Sequence, residues 1–302
     1  MVLVSRIRNR LIRENKWLQR YVRYRKWRWN RGDRTPWAAS LKITWRCNLA
    51  CTQCFWRKKF TSDDLPKEKW FSIIDGLARK GCVEVVIEGG EPALREDFPD
   101  IVRYASKRML RVDVVTNGTI PFDPMELHRL YISIDGLGET HDTLRGNGTF
   151  DRVEEFIDTY ERKDQLVLLV SVWRGNVDTL NSLFEHFQNR VSGFWISFLY
   201  DTGEGELALD RDERRRVGRK LLKLKNKGYP ILNSDAYLLS LGNGKSCHKW
   251  VLATVLADGT MAPTCYPFMF GAHSCEGCDL ACYKEVDSFL YPEDYSQPGL
   301  ES

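Results

Sequence analysis

Between residues 40 and 198 two hydrophobic periods alternate along the chain. Short, nearly continuous apolar runs fall at 40–45, 83–88, 112–116, 130–134, 166–172 and 194–198. Between them lie segments with apolar residues at every third or fourth position: Lys67–Lys80, 99–107, a short piece at 124–128, 149–162 and 177–187. Runs of the first kind, bounded by turn residues, predict buried strands, and the second kind predicts amphipathic helices. Six strands alternating with helices imply an α/β fold with parallel packing, in which functional groups gather at the C-terminal ends of the strands. Beyond Tyr200 the pattern changes. Gly203-Glu204-Gly205-Glu206 opens a polar loop, and 210–227 predicts a charged helix ending near Gly228 and Pro230. Its run of mixed sign at 211–216 reads most simply as a solvated face.

Composition adds scale and an asymmetry. With 302 residues, 43% of them hydrophobic, the chain has material for one large core and a small appendage. It has no stretch near the ~18 apolar residues of a spanning helix, and its first residues lack the ~7–15-residue apolar core of a secretory signal. A cytoplasmic location is the expectation, and nine cysteines kept reduced there favour metal ligation over disulfides. The net charge of +4 hides an N-terminal arm: residues 1–34 hold twelve Lys and Arg against Glu14 and Asp33, leaving 33 basic and 39 acidic side chains, a net of −6, in the rest. In the arm Val4, Ile7, Leu11, Leu18 and Val22 share one helical face, while Trp17, Tyr21, Tyr24, Trp27 and Trp29 lie near the basic side. Such a helix suits three uses: docking on the open side of the core, peripheral contact with an anionic membrane, or tracking nucleic-acid phosphates.

The chemistry concentrates in two short motifs. Cys47, Cys51 and Cys54 form a C-x3-C-x2-C set. Thiolates are the usual protein ligands of iron–sulfur clusters and structural zinc, and three without a nearby fourth suit a cubane cluster that keeps one iron open. Gly89-Gly90-Glu91-Pro92 follows the second predicted strand. Paired glycines let backbone approach a ligand closely, and Glu91 offers an acceptor for an ammonium group. By itself this motif reads as an ordinary tight turn.

Together, Cys47-Asn48-Leu49-Ala50-Cys51-Thr52-Gln53-Cys54 and Gly89-Gly90-Glu91-Pro92 resemble the signature of the radical S-adenosylmethionine (SAM) superfamily. The resemblance implies a partial (β/α)6 TIM barrel, a 4Fe-4S cluster on Cys47, Cys51 and Cys54, and SAM bound at its open iron. It also implies an electron donor such as flavodoxin or ferredoxin, and an organic substrate that the motifs do not identify: a peptide or cofactor precursor by the branch resemblance, or a membrane lipid by the basic arm. Thr116-Asn117-Gly118 resembles a SAM-contacting segment of the branch that makes molybdenum cofactor and modifies peptides, and Ser133 resembles a further SAM contact. The runs 141–146 and 148–153 also look like that branch, with Arg145 or Arg174 as partner of the SAM carboxylate. Thr149 is alternatively a helix N-cap, and His141 reads as a loop residue. Gln53 stands where relatives often have an aromatic; Phe55 and Trp56 are alternatives for the adenine pocket.

Five further cysteines, Cys247, Cys265, Cys275, Cys278 and Cys282, lie within 36 residues. The stretches 258–265 and 275–282 resemble a shortened SPASM or twitch extension, which implies one auxiliary 4Fe-4S cluster on four of the five; structural zinc is the alternative. Cys82 reads as a small core residue. The expected organisation is a basic amphipathic arm (1–35), the barrel core (36–200), a helical connector (201–245) and a Cys-rich extension (246–302). The competing functional class is a non-catalytic zinc module that uses its basic arm on nucleic acid, and Gly89–Pro92 speaks against it.

Overall fold

The computed structural model describes residues 16–54, 56, 63–200, 207–244, 247–262, 265–269, 275, 278–291 and 295. Seven parallel strands form its sheet, in the order β6-β5-β4-β3-β2-β1-β7. They are β1 (Ala38–Lys42), β2 (Glu84–Glu88), β3 (Arg111–Thr116), β4 (Arg129–Ile134), β5 (Leu166–Val172), β6 (Gly193–Phe198) and β7 (Leu252–Val255). Helices α2 (Lys67–Lys80), α3 (Phe98–Ser106), α5 (Thr149–Thr159), α6 (Leu180–Phe187) and α7 (Arg211–Asn226) cover one face. Alternation along the strands separates the two sides. Leu41, Val85, Ile87, Val112, Val114, Leu130, Ile132, Leu168, Val170 and Ile196 join the helices in the main core. Ser40, Lys42, Glu88, Asp113, Tyr131 and Ser133 alternate with them and belong to the opposite, concave face.

The parallel α/β fold expected from the hydrophobic pattern and the partial barrel implied by the resemblance are present, with three differences. Strand β1 runs from 38 to 42 rather than 40 to 45, because its continuation leaves the ladder to form the cysteine loop. The 124–128 piece is a turn, closed by the amide of Leu127 on the carbonyl of Met125. Strand β7, from within the Cys-rich extension, pairs in parallel with β1 through Ala38↔Leu252 to Leu41↔Val255. Four residues, Leu-Ala-Thr-Val, carry too little periodicity to announce themselves as a strand, and pairing with β1 makes them one.

A second core joins the chain's two ends. Helix α1 (Lys16–Asn30) places Tyr21, Val22 and Trp29 against Trp37, Val251, Leu252, Cys265, Leu280, Tyr283 and Leu290. Arg25 is only 1% exposed. Its guanidinium donates to the carbonyls of Gly81 at 2.7 Å, Thr35 at 2.7 Å and Pro36 at 3.2 Å, which cap the entries to β1 and β2. Gly81 is required there: it has φ +92°, and a Cβ would lie 2.5 Å from the Arg25 Nη1. For residues 19–30 the arm is therefore a docked helix, while Val4, Ile7 and Leu11 lie outside the described residues. Its outer face keeps Tyr24 and Trp27 half exposed, at 50% and 51%.

The extension closes the incomplete barrel. Helix α10 (Ala281–Leu290) packs against both edge strands, β6 and β7, and against α8 (Asp235–Ser240). Buried Asp279 anchors it, accepting from Lys284 at 2.6 Å and from the Gly242 amide at 2.8 Å.

Candidate functional site

At the C-terminal end of the sheet four strands release the residues singled out by the motifs. The cysteine loop leaves β1 through Thr44–Arg46. It is held by the next loop, where the amide of Gly90 donates to Thr44 O at 2.7 Å and that of Glu91 to Arg46 O at 2.8 Å. These contacts explain the glycine pair. A Cβ on Gly89 would lie 2.3 Å from Thr44 O, and one on Gly90 2.1 Å from Arg46 O. The close approach that excludes side chains here is between two segments of the chain itself, where the sequence pointed to an approach of backbone to a ligand.

Glu91 is bonded within the chain. Its carboxylate is fully buried and accepts from the Thr116 hydroxyl at 2.8 Å, the Asn117 amide at 2.7 Å and the Ala93 amide at 3.1 Å. Burial pushes its pKa up against these donors. These bonds tie β2 to the end of β3. Pro92 starts a short 3-10 turn beside it. Asn117 then reaches the cysteine loop, with its Nδ2 at 2.8 Å from Asn48 Oδ1 and 3.9 Å from Cys47 Sγ.

The other flank is organised by Asp135, which is wholly buried at the end of β4. It takes the Arg145 Nε at 2.6 Å and the Gln53 Nε2 at 2.8 Å on one oxygen. Its carbonyl accepts from Trp173 Nε1 at 2.9 Å and Asn176 Nδ2 at 3.0 Å. Gln53, noted in the sequence only as a missing aromatic, is thus the strut between the cysteine loop and β4. A further bond runs from the Thr52 amide to Leu144 O, at 2.9 Å, in α4 (Glu139–Arg145), a helix the hydrophobic pattern did not reveal. His141 lies inside α4 rather than in a loop, and its Nδ1 accepts the Asp135 amide at 3.1 Å. Thr149 is the first residue of α5, not its cap. The capping carboxylate is Asp142, which accepts from the amides of Gly148 at 2.7 Å and Phe150 at 2.9 Å.

Arg145 and Arg174, equal candidates by sequence, separate. The guanidinium of Arg145 acts on Cys51 and Cys54 while paired to Asp135. Arg174 is half exposed, donating to Glu213 at 2.5 Å and to Ala208 O at 3.1 Å. Ser133 is buried on the concave face one turn of strand before Asp135.

The three loop cysteines are free thiols. Burial raises Cys47 and Cys51 above the ordinary thiol range, and Arg145 opposes that rise at Cys51. The Leu49 amide points at Cys47 Sγ from 3.5 Å. Arg145 at Cys51 and the Leu49 N–H at Cys47 offset part of the burial cost of a thiolate, so anionic sulfur there gains from any further positive charge. Among the described residues no three His, Cys, Asp or Glu side chains form a preformed chelate for a single ion. In the extension, burial and then Asp287, Cys278, Cys265 and Cys275 push the Cys247 thiol up, so these four cysteines are electrostatic neighbours. Cys282 stands in the first turn of α10. Cys82 is buried beside Trp37 and Glu84 carbonyls with its thiol pushed up to about 12, a core residue.

A sequence model of the radical SAM superfamily matches residues 41–175, which span both flanks of this site. The chain belongs to the radical SAM superfamily. It is 28% identical over 208 residues to the Fe-coproporphyrin III synthase of Methanosarcina barkeri, covering 62% of this chain and 52% of that one. It is 32% identical over 231 residues to the mycofactocin maturase MftC of Mycolicibacterium smegmatis, covering 71% and 58%. The chain therefore spans little more than half the length of these relatives. Its fold resembles that of Streptococcus suis SuiB bound to S-adenosylmethionine, with a TM-score of 0.66 at 14% identity over 87% of this chain and 66% of SuiB. Radical SAM proteins use a 4Fe-4S cluster and SAM, and the donor set around Cys47, Cys51 and Cys54 suits the first of these.

Two predictions follow from the Asp135 flank. Replacing Asp135 with Asn strands the Arg145 charge in the interior, and a loss of about 3–5 kcal/mol is expected in denaturant unfolding. An unchanged midpoint and slope would contradict it. His141 is held neutral, its pKa lowered to about 4 by burial and by Arg145. The unfolded imidazole protonates near 6.5, so between these values the unfolded chain binds more protons and stability falls as pH drops from about 6.5 toward about 4, by up to about 3 kcal/mol. His141→Gln should flatten that part of the urea-stability profile, and an equally steep profile in the variant would refute the assignment.

Proposed function

We propose that this chain is a radical SAM enzyme whose Cys47, Cys51 and Cys54 hold the SAM-binding 4Fe-4S cluster. The observation that carries this reading is the cysteine loop clamped between the Glu91 and Asp135 networks, with the Arg145 cation beside Cys51 and Cys54. When bound and reduced by a donor such as flavodoxin or ferredoxin, the cluster supplies the electron that splits SAM to methionine and a 5′-deoxyadenosyl radical, which takes a hydrogen atom from, or adds to, an organic substrate.

The chain's own residues supply placement. Gly89–Pro92, Thr116 and Asn117 line one side of the loop and orient the cofactor there. Ser133 offers a hydroxyl from the concave face. Arg145 offsets negative charge on the thiolates, and Trp45 and Trp56, at the two ends of the cysteine loop, stack with 5.4 Å between centroids. Lys42, with its ammonium 4.5 Å from the Trp56 ring and 2.9 Å from Glu88, lines the concave face below. In the extension, four of Cys247, Cys265, Cys275, Cys278 and Cys282 hold one auxiliary 4Fe-4S cluster, a reading supported by the proximity of the first four. A polypeptide is the substrate class supported by the maturase relative, and a cofactor precursor is the one supported by the coproporphyrin enzyme.

Anaerobically reconstituted protein given dithionite and SAM should release 5′-deoxyadenosine. Cys51→Ala should lose that activity together with the iron of the first cluster while keeping the iron of the second. Wild-type iron and wild-type cleavage in Cys51→Ala would overturn the assignment.

Peripheral membrane contact is a second proposal, favoured by the outer face of α1. There Tyr24 and Trp27 stack at 6.2 Å, and Arg31 lies 4.3 Å over Trp27. Aromatic and basic groups on one face suit the headgroup region of an anionic bilayer. No helix of the described residues is long and apolar enough to cross a membrane. The full chain should co-sediment with phosphatidylserine-containing vesicles more than with pure phosphatidylcholine, and the Tyr24→Ala, Trp27→Ala double variant should lose that preference. Equal sedimentation of variant and wild type would refute it.

A further inference from the structure

The basic charge of this chain has a second concentration, far from the arm. Between α6 and α7 lies a groove of about 380 Å³ lined by Asn181 and by Arg216, Arg219, Lys220, Lys223 and Lys227, with Leu224 as its floor. The five cations fall at intervals of three, one, three and four, so they form one stripe along α7 and its C-cap, about 16 Å long at ~1.5 Å per residue. No ion pair engages any of the five among the described residues. The one side-chain hydrogen bond among them runs from Lys220 to the Val177 carbonyl, at 3.3 Å.

The neighbouring positions of the same helix behave differently. Arg214 meets buried Asp279, Arg215 meets Asp212, and Lys225 is buried on Asp235 at 2.5 Å. Outside the N-terminal arm the chain carries a net charge of −6. A row of five positive charges without ion pairs among the described residues, on an otherwise acidic body, is a local excess that begins where the mixed-sign run 211–216 ends. The mixed signs stop at Arg216.

We propose that this groove is a binding site for an acidic segment of a polypeptide, one that presents Asp or Glu at helical spacing. The geometry favours that partner in two ways. Carboxylates three and four positions apart on a helix are about 5–6 Å from one another, the same interval as the cations on α7. The lining has no aromatic ring, so it offers no platform on which bases could stack, the feature that single-stranded nucleic acid sites add to their charge. Asn181 adds a neutral donor and acceptor at the groove edge, and Leu224 a small apolar contact at its floor. Binding of this kind is driven by charge and screened by salt within a Debye length of ~8 Å at physiological ionic strength. The site is independent of the cysteine loop, and its occupancy does not require SAM cleavage.

The test uses the full reconstituted chain and a fluorescein-labelled peptide of Glu and Ala with Glu at every third and fourth position, followed by anisotropy. Comparison probes are a Gln-for-Glu peptide and an oligo(dT) of matched charge. The acidic peptide should bind, weaken with added salt, and weaken by about tenfold or more in the Arg219→Glu, Lys223→Glu double variant. Arg23→Glu, which reverses an exposed cation of α1, should leave its affinity at the wild-type level. Both altered side chains of the double variant are exposed, and its SAM cleavage should match wild type, which separates failure of this site from failure of the enzymatic reading. Unchanged peptide affinity in the double variant, equal binding of the Gln peptide, no peptide binding, or tighter groove-dependent binding of oligo(dT) would each overturn the proposal.

Discussion

The buried ion pair between Asp135 and Arg145 is the contact on which the site's geometry depends. Two opposite charges taken out of water are stable to the extent that they are close and their remaining hydrogen-bonding capacity is met. Here Arg145 Nε lies 2.6 Å from Asp135 Oδ2 and Gln53 adds a second donor at 2.8 Å on the same oxygen, while Oδ1 is buried without a hydrogen-bond partner among the described residues. The pair thereby fixes three things at once: the end of β4, the short helix α4, and the middle of the cysteine loop. The same guanidinium is the nearest cation acting on Cys51, so the group that secures the loop also offsets negative charge on its sulfurs.

Glu91 does the matching work on the opposite flank. It has no cation in hydrogen-bonding contact among the described residues and is held by two backbone amides and a hydroxyl. Between these two carboxylates the loop is suspended from four strand ends, β1 to β4. Local segments of the chain could not hold it in that position alone, since each tether comes from a different strand. The glycine pair belongs to this suspension, because only residues without Cβ let β2's exit cross Thr44–Arg46 at hydrogen-bonding distance.

The lower half of the molecule follows another logic. An open sheet leaves two edges and an exposed floor, and this chain covers them with its own ends. Arg25 crosses to the carbonyls at the entry of β1 and β2, α10 spans the gap between β6 and β7, and Trp29, Tyr283 and Tyr291 share one cluster. The N-terminal helix and the Cys-rich extension are thus joined in one apolar core, although they are separated by most of the sequence.

The sequence by itself determined the alternation of strands and helices, because strands buried on both faces are written as apolar runs and the helices between them as three-to-four periods. It also determined the cysteine loop and Gly89–Pro92, since their meaning lies in spacing within a few residues. What only the tertiary structure decided are the relations between distant residues. These include the strand character of Leu252–Val255 beside β1, the pairing of Arg145 with Asp135, the strut formed by Gln53, the capping of α5 by Asp142, and the burial of Arg25. None of these has a local signature, because a charge or an amide acquires its role from whichever partner the fold brings within hydrogen-bonding distance, and a four-residue strand exists only when a neighbour supplies its ladder.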